Sequence, residues 1–404
     1  MFNIKKFFKN NNQEFIIYFE KYKNKFVKKS VTFKEFNKYL KNIFLNLGKI
    51  SKDKNFIIIA DNNLNFSIIL LALILYADKI LVLNKDSNNL IKKKIIHQSK
   101  IKNIINLNNN DLSSKDYKNF NIININQILR ENRNKDFKIK FDIKKKFSLI
   151  FSSSGTTQNP KLIKLNESNL YSQIYQINQR FNMSNFKALM TPMPANHIGA
   201  LGFILLNSFF FNKKSIFLNF FDYEKFFKIT NYYKPDFFYF NPTIVNTINL
   251  LNKNKNFSKL KATIFCGSAP LHKISLHKFL LNYKNFKFIQ VYGLTETTNT
   301  ITTMSDNLNK QDYNHLYFNE KAPSVGTPLK GVQIKILTKN KNIIDKENTI
   351  GEILVKGPNV IKEYLKISLT KSKFLKKYLK TGDIGYYKYY KKKKFFYIMG
   401  RNDD

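Results

Sequence analysis

The sequence is poor in several residue types, and each shortage excludes something. A single cysteine, Cys266, among 404 residues rules out an internal disulfide and any metal site built from several thiolates. A reducing, cytoplasmic setting is expected. Tryptophan is absent, and only four of the 69 basic residues are arginine: Arg130, Arg133, Arg180 and Arg401. Base-edge readout and bidentate phosphate recognition favour arginine. The formal charge of +42 is therefore read as the lysine excess of a chain also rich in Asn, Ile, Phe and Tyr, and no specific nucleic acid is expected. A basic surface that binds nucleic acid or a membrane face stays open as an alternative. Long apolar runs are missing too. The longest, Phe66 to Ala77, falls short of the roughly 20 residues that span a bilayer and predicts a buried helix rather than a transmembrane segment. Met1 to Glu20 holds no apolar stretch of signal-peptide length.

Glycine and proline are scarce, at 13 and nine residues; average usage of about 7% glycine would give roughly twice as many. Twelve of the 13 glycines and all nine prolines follow residue 150. In such a background a glycine marks a place where backbone geometry or close approach demands it. No Walker loop, Rossmann glycine pattern, Gly-x-Ser-x-Gly or His-Glu-x-x-His occurs, and the five histidines show no metal spacing.

With 43% hydrophobic and 15% aromatic residues, the chain has the means to bury a large core. Residues 1 to 50 offer an amphipathic helix around Phe33 to Leu47, ended near Gly48. From Asn55 the pattern alternates: strand Phe56 to Ala60, helix Leu64 to Tyr76, strand Ile80 to Leu83, helix Ser87 to Gln98, strand Ile101 to Leu107. That order predicts a parallel sheet with helices on its faces. Residues 108 to 146 read as surface turns. Strands are again predicted at Ile216 to Leu218, Phe237 to Phe240, Ala262 to Cys266 and Phe286 to Val291, with helices over Phe221 to Tyr232 and His272 to Tyr283. Past residue 320 short alternating strands take over, at Val332 to Leu337, Glu352 to Val355 and Phe395 to Met399. The expected organisation is α/β sheets over 1–320, a β-rich subdomain over 321–399, and a hinge at 400–404.

Three polar motifs sit where a predicted strand ends, the place where ligands gather in α/β sheets. The first follows Phe147 to Phe151: Ser152, Ser153, Ser154, Gly155, Thr156, Thr157, Gln158, Asn159, Pro160, Lys161. Hydroxyls, free backbone N–H groups and one ammonium at a strand exit suit a polyphosphate, although the same residues also suit a polar surface turn. A helix is predicted beyond it, with Leu170, Ile174, Ile177 and Phe181 on one face and Asn166 or Ser168 as its cap. The second motif is Gly267-Ser268-Ala269-Pro270, and the third is Tyr292-Gly293-Leu294-Thr295-Glu296-Thr297. In the third, Tyr292 offers a ring to stack on an aromatic ligand and Gly293 lets the backbone approach it. Thr295 offers a hydroxyl and Glu296 a carboxylate for Mg²⁺.

Taken in order, these motifs resemble the adenylate-forming superfamily of acyl-CoA synthetases, nonribosomal adenylation domains and luciferases. Ser153 to Lys161 resembles its phosphate loop, with Gln158 and Leu162 in place of two glycines. Gly267 to Pro270 resembles the segment lining adenine and the acyl pocket, and Tyr292 to Glu296 the segment holding adenine, the α-phosphate and Mg²⁺. Thr381-Gly382-Asp383 resembles the motif whose aspartate binds both ribose hydroxyls, and Gly400 to Asp404 the hinge whose arginine, here Arg401, touches ribose, with Asp403 as pivot. His197, in Pro194-Ala195-Asn196-His197-Ile198-Gly199, matches a histidine bordering the carboxylate site.

The resemblance implies a layered α/β/α/β/α large domain with parallel sheets and a smaller β-rich subdomain. It also implies ATP, Mg²⁺ and coenzyme A as cofactors, and a small-molecule carboxylic acid as partner. Lys161, His197, Thr295 and Glu296 would be the catalytic residues. No acidic residue lies between Asn185 and Phe221, which argues against an amino acid and for a fatty or aryl acid. The aromatic segment Phe237 to Pro242 reads either as a pocket wall or as a core strand. In the family a lid domain follows the hinge; none is present through Asp404. The expectation is therefore the large N-terminal domain of an acyl-CoA synthetase, the sequence being a truncated frame, one half of a split ligase with its lid domain in trans, or a lidless AMP-binding pseudoenzyme.

Overall fold

The computed structural model describes residues 11–22, 25–107, 117–132, 145–152, 160–251, 255–320 and 322–402. Ser153, Ser154, Gly155, Thr156, Thr157, Gln158 and Asp403, expected in the phosphate loop and the hinge, lie outside the described residues.

Two sheets organise the described chain. The smaller runs Asn121–Asn124, Asn103–Asn106, Asn55–Ala60, Lys79–Asn84, Ser148–Ser152, Leu162–Asn166 in spatial order, parallel throughout except for the last pair. Its central strand shows how side chains are sorted. Phe56, Ile58 and Ala60 belong to the main core, whereas Ile57 and Ile59 pack on the other face with Ile95 and Ile96 of the helix Asn89–Ser99. Successive side chains in a strand point to opposite faces. A strand covered on both faces is therefore apolar at every position.

The larger sheet has a parallel half, in which Ala188–Thr191 lies between Lys214–Leu218 and Phe237–Phe240, followed by Ala262–Cys266 and Phe286–Tyr292. Through Thr302–Thr303 and Ser324–Pro328 it continues into an antiparallel half made by Lys393–Arg401, Tyr378–Tyr390, Gly351–Lys356 and Gln333–Leu337. The helix Leu64–Tyr76 touches both sheets, at Glu14–Tyr22 and at Asn55–Ala60. Every residue from Phe66 to Ile74 is buried, as a helix with no solvent face requires. Its Ser67 hydroxyl lies 2.8 Å from that of Tyr18, which ties it to the larger sheet.

Three expectations need correction, and one stretch that carried no prediction proves to be structured. Residues 14–32 form two strands, Glu14–Tyr22 and Lys25–Thr32, that extend the larger sheet. The following helix runs through Gly48 to Ile50. Within the stretch read as turns, Asn121–Asn124 is a strand and Ile125–Leu129 a short helix with an Asn124–Gln127 capping box. Between the phosphate loop and its helix lies another strand, Leu162–Asn166, so the loop joins an antiparallel pair before Glu167–Phe181 begins at the Asn166 cap.

Candidate active site

One cavity of about 630 Å³ gathers most of the nucleotide residues expected from sequence. Ser268, Ala269 and Pro270 line one wall, Tyr292 and Gly293 another, and Asp383 and Arg401 a third. The walls come from the ends of Ala262–Cys266 and Phe286–Tyr292 and from the paired strands Tyr378–Tyr390 and Lys393–Arg401. Asp383 and Arg401 are cross-strand neighbours, so one register sets both residues.

Asp383 is 5% exposed. Its Oδ2 accepts a 2.6 Å hydrogen bond from the Tyr292 hydroxyl, and Arg401 Nε stands 3.7 Å from its Oδ1. Its N–H donates to Thr381 Oγ1, and the Gly382 N–H donates to Glu352 Oε1, each at 3.0 Å. Gly382 has φ +80°, a left-handed conformation that favours glycine. Burial raises the Asp383 pKa, against the opposing pull of the Tyr292 hydrogen bond and the Arg401 charge. The Tyr292 phenol is pushed well above its ordinary value, first by burial and then by the Asp383 charge. Tyr292 thus does more than present a ring: its hydroxyl fixes the carboxylate.

The two candidate glycines beside these residues have packing reasons for being glycine. A Cβ on Gly293 would lie 2.0 Å from the Asn299 carbonyl oxygen, and one on Gly267 would lie 2.7 Å from Val291 Cγ2. The close approach at Gly293 is to the chain itself, where a ligand was expected.

Glu296 lies on a 3-10 turn, Thr295–Thr297, and is not among the residues lining the cavity. Its Oε1 accepts a 3.0 Å hydrogen bond from the Tyr364 hydroxyl, and its carbonyl accepts from the Ile361 N–H at 2.9 Å. Burial, followed by the Glu296 charge, raises the Tyr364 pKa. Thr298 and Asn299, with φ +52° and +96°, hold a costly backbone just past this turn. The fully buried Asn359 holds them in place. Its side-chain nitrogen donates to the carbonyls of Thr297 (3.1 Å) and Thr300 (2.7 Å), and its main-chain carbonyl accepts from Thr298 Oγ1 (2.6 Å).

Glu296 Oε2 has no protein partner among the described residues. One such carboxylate fits Mg²⁺, which is commonly held by one or two carboxylates together with substrate phosphates. Among the described residues there is no cluster of three metal-ligating side chains, so the phosphates would have to share the ion.

Lys161 and Pro160 open on a second cavity, of about 590 Å³, with Leu162, Leu365 and Lys366. His197 caps the short helix Ile198–Ala200, its Nδ1 accepting from the Gly199 N–H at 3.2 Å. Burial lowers its pKa below the ordinary value. Its ring is stacked against Tyr239, with 6.5 Å between centroids. The Tyr239 hydroxyl is 2.6 Å from Ser268 Oγ on the cavity wall. His197 is therefore joined to the nucleotide cavity through one buried tyrosine. The single Cys266 is also buried, and burial pushes its thiol pKa up.

Asn359, Tyr364 and Tyr239 were not singled out from sequence. The run Gly357-Pro358, two scarce residues together, was a usable signal for the first. Tyr239 lies in the segment Phe237 to Pro242, which the sequence marks as pocket wall or core strand without distinguishing the tyrosine.

A family model described as "AMP-binding enzyme" matches residues 9–365. The chain is 28% identical over 242 residues to 4-coumarate:CoA ligase 1 of Petunia hybrida, covering 58% of this chain and 43% of that protein. It is 26% identical over 280 residues to a 2-succinylbenzoate–CoA ligase of Bacillus cytotoxicus, covering 65% and 52%. The chain spans about half the length of the curated relatives it matches. Among solved structures, O-succinylbenzoate coenzyme A synthetase from Bacillus subtilis, in complex with ATP and magnesium ion, superposes with a TM-score of 0.79. The identity is 21%, over 97% of this chain and 78% of that one. An inhibitor-bound N-terminal domain of FACL13 from Mycobacterium tuberculosis gives 0.79 at 19% identity, over 99% and 100%.

Proposed function

The chain belongs to the AMP-binding enzyme family, and on that premise we propose that it activates a carboxylic acid, fatty or aryl, at the expense of ATP. A carboxylate oxygen attacks the α-phosphorus, the bond to the β-phosphate oxygen breaks, and pyrophosphate leaves an acyl-adenylate. The thiol of coenzyme A then attacks the acyl carbon, AMP departs, and the thiol proton passes to solvent.

The observation that carries this reading is the Tyr292–Asp383–Arg401 cluster in a strand-end cavity. Asp383, buried and aligned by Tyr292, would accept from the ribose hydroxyls, and Arg401 would lie alongside. Glu296, held at one oxygen by Tyr364, keeps its second for Mg²⁺, which when bound would neutralise phosphate charge. Lys161 would add an ammonium beside the phosphate loop, Thr295 a hydroxyl, and His197 would border the acid. Catalysis of this kind is mostly positioning and charge stabilisation. A reducing, cytoplasmic setting belongs to the same reading, as does a lid domain supplied by further residues or a separate chain.

Equilibrium titration with ATP, AMP and a non-hydrolysable acyl-sulfamoyl adenosine, with and without Mg²⁺, tests it. The acyl-sulfamoyl compound should bind most tightly and ATP should depend on Mg²⁺. Failure of all three to bind would refute the reading.

A further inference from the structure

A third cavity, of about 730 Å³, shares no lining residue with the two described above. Its walls are largely apolar: Val360 and Ile361 are buried and Phe374 is half-buried. The scarce pair Gly357-Pro358, which the nucleotide cavity does not use, lines it as well. Three exposed lysines, Lys356, Lys362 and Lys377, complete the lining, and no carboxylate belongs to it. Most other polar groups of the walls are spent on the fold itself. Asn169 Nδ2 donates to the carbonyls of Pro358 and Val360 at 3.0 and 3.1 Å, and the Ile361 N–H donates to the Glu296 carbonyl at 2.9 Å. Thr370 Oγ1 accepts from the Tyr364 N–H at 2.8 Å, and Gln333 Oε1 accepts from the Tyr378 hydroxyl at 2.9 Å. A ligand is thus offered apolar surface, three ammoniums and the Gln333 side-chain amide nitrogen, all of them donors.

We infer that this cavity is a second ligand site, and that it takes a small amphipathic anion: an apolar body ending in one carboxylate or phosphate. The inference goes beyond the proposed function and does not rest on it. The volume lies within the roughly 300–1,000 Å³ of small-molecule sites, which are mostly apolar with a few placed polar groups. The apolar body would pack on Val360, Ile361 and Phe374, and the head would meet the lysines. A neutral apolar ligand would leave three like charges around it with no counter-charge, whereas an anionic head relieves their repulsion. The ligand would also pack against the residues that hold the Glu296 turn. Ile361 bonds its carbonyl, and Phe374 meets Tyr364 edge-on, with centroids 6.4 Å apart at 74°. That tyrosine bonds Glu296 Oε1.

The test is calorimetric titration with octanoate, octyl phosphate and the neutral octanol. Saturating octanoyl-sulfamoyl adenosine is present to occupy the acid and nucleotide sites of the proposed function. Octanoate, octyl phosphate or both should still bind with one equivalent and more tightly than octanol, and the tighter of the two identifies the head. Added salt should narrow the gap to octanol. Lys356→Glu combined with Lys362→Glu should weaken the anion by about tenfold or more and leave octanol within a few-fold, since the apolar walls are intact. A control reversal of equal size, Lys34→Glu with Lys52→Glu, uses exposed lysines outside the lining and should leave the anion's affinity unchanged. Binding of neither anion would overturn the inference, as would octanol binding as tightly as the anions, or equal weakening in the cavity and control variants. If the sulfamoyl compound itself fails to bind, the proposed function falls, and the comparison of cavity and control variants still decides this inference.

Discussion

Replacing Asp383 by alanine should weaken AMP and ATP binding together, because both present the same ribose. Each charge-assisted hydrogen bond to a buried carboxylate contributes about 1.5–3 kcal/mol. At about 1.4 kcal/mol per tenfold, losing one predicts a rise in Kd of roughly 10- to 150-fold. The substitution also has a folding cost that must be separated from the binding effect. The Tyr292 hydroxyl, 2.6 Å from Asp383 Oδ2, loses its acceptor, a penalty of about 1–3 kcal/mol for a buried donor. The Arg401 side chain is 52% exposed, so its ion pair adds little. The assay is titration with AMP and ATP at a temperature well below the variant's measured melting point, alongside Tyr292→Phe. The phenylalanine variant keeps the carboxylate and loses only its alignment, so its binding defect should be the smaller. An unchanged AMP Kd in folded Asp383→Ala would refute the ribose assignment.

Other expectations follow from single contacts. Gly199→Ala should destabilise the protein by about 1–3 kcal/mol through overpacking against Tyr239, and a double-mutant denaturation cycle with Tyr239→Ala should show most of that cost removed. Asn359→Ala leaves the Thr297 and Thr300 carbonyls without their donor; urea unfolding should report a loss of roughly 2 kcal/mol or more, and the Mg²⁺ dependence of ATP binding should weaken as the Glu296 turn loosens. Burial holds the His197 pKa below 6.5, so the unfolded chain takes up the proton first. The stability this contributes is present above pH about 6.5 and is lost as pH falls. Melting temperatures from pH 7 down to 5 should therefore fall less steeply in His197→Asn, which also keeps a side chain able to cap the helix.

The sequence was most legible where the structural signal is local. Phe56 to Ala60 and Ala262 to Cys266 are short apolar runs bounded by polar residues, and each is a buried parallel strand. Phe15 to Phe19 is just as apolar and just as buried, but a strand covered on both faces has no period-two pattern to separate it from helix. Its neighbour Lys25–Thr32 carries exposed lysines and reads as loop. Leu162–Asn166 escaped because its partner, Ser148–Ser152, lies across the phosphate loop, so nothing local marks the pairing.

The site divides in the same way. Tyr292, Asp383 and Arg401 sit in motifs with scarce glycines, and the structure gathers them around one cavity. Of the residues that hold those motifs in place, only Asn359 has a scarce glycine beside it, Gly357. Asn359 is one asparagine in an asparagine-rich chain, and its partners Thr297 and Thr300 are about 60 positions away. Tyr364 meets Glu296 across a separation of 68. Only the fold brings such pairs together.

The most direct measurement is carboxylate-dependent exchange of radiolabelled pyrophosphate into ATP in the presence of Mg²⁺, run over a panel of acids from acetate to octanoate and cinnamate. Adenylate formation is reversible only if a carboxylate is present to be activated, so label should enter ATP with an accepted acid and not without one, and Asp383→Ala should lower that rate. Incorporation that ignores the acid, or none with any acid in a protein that binds AMP and an acyl-sulfamoyl adenosine, would contradict the assignment of this chain as an acid-activating enzyme.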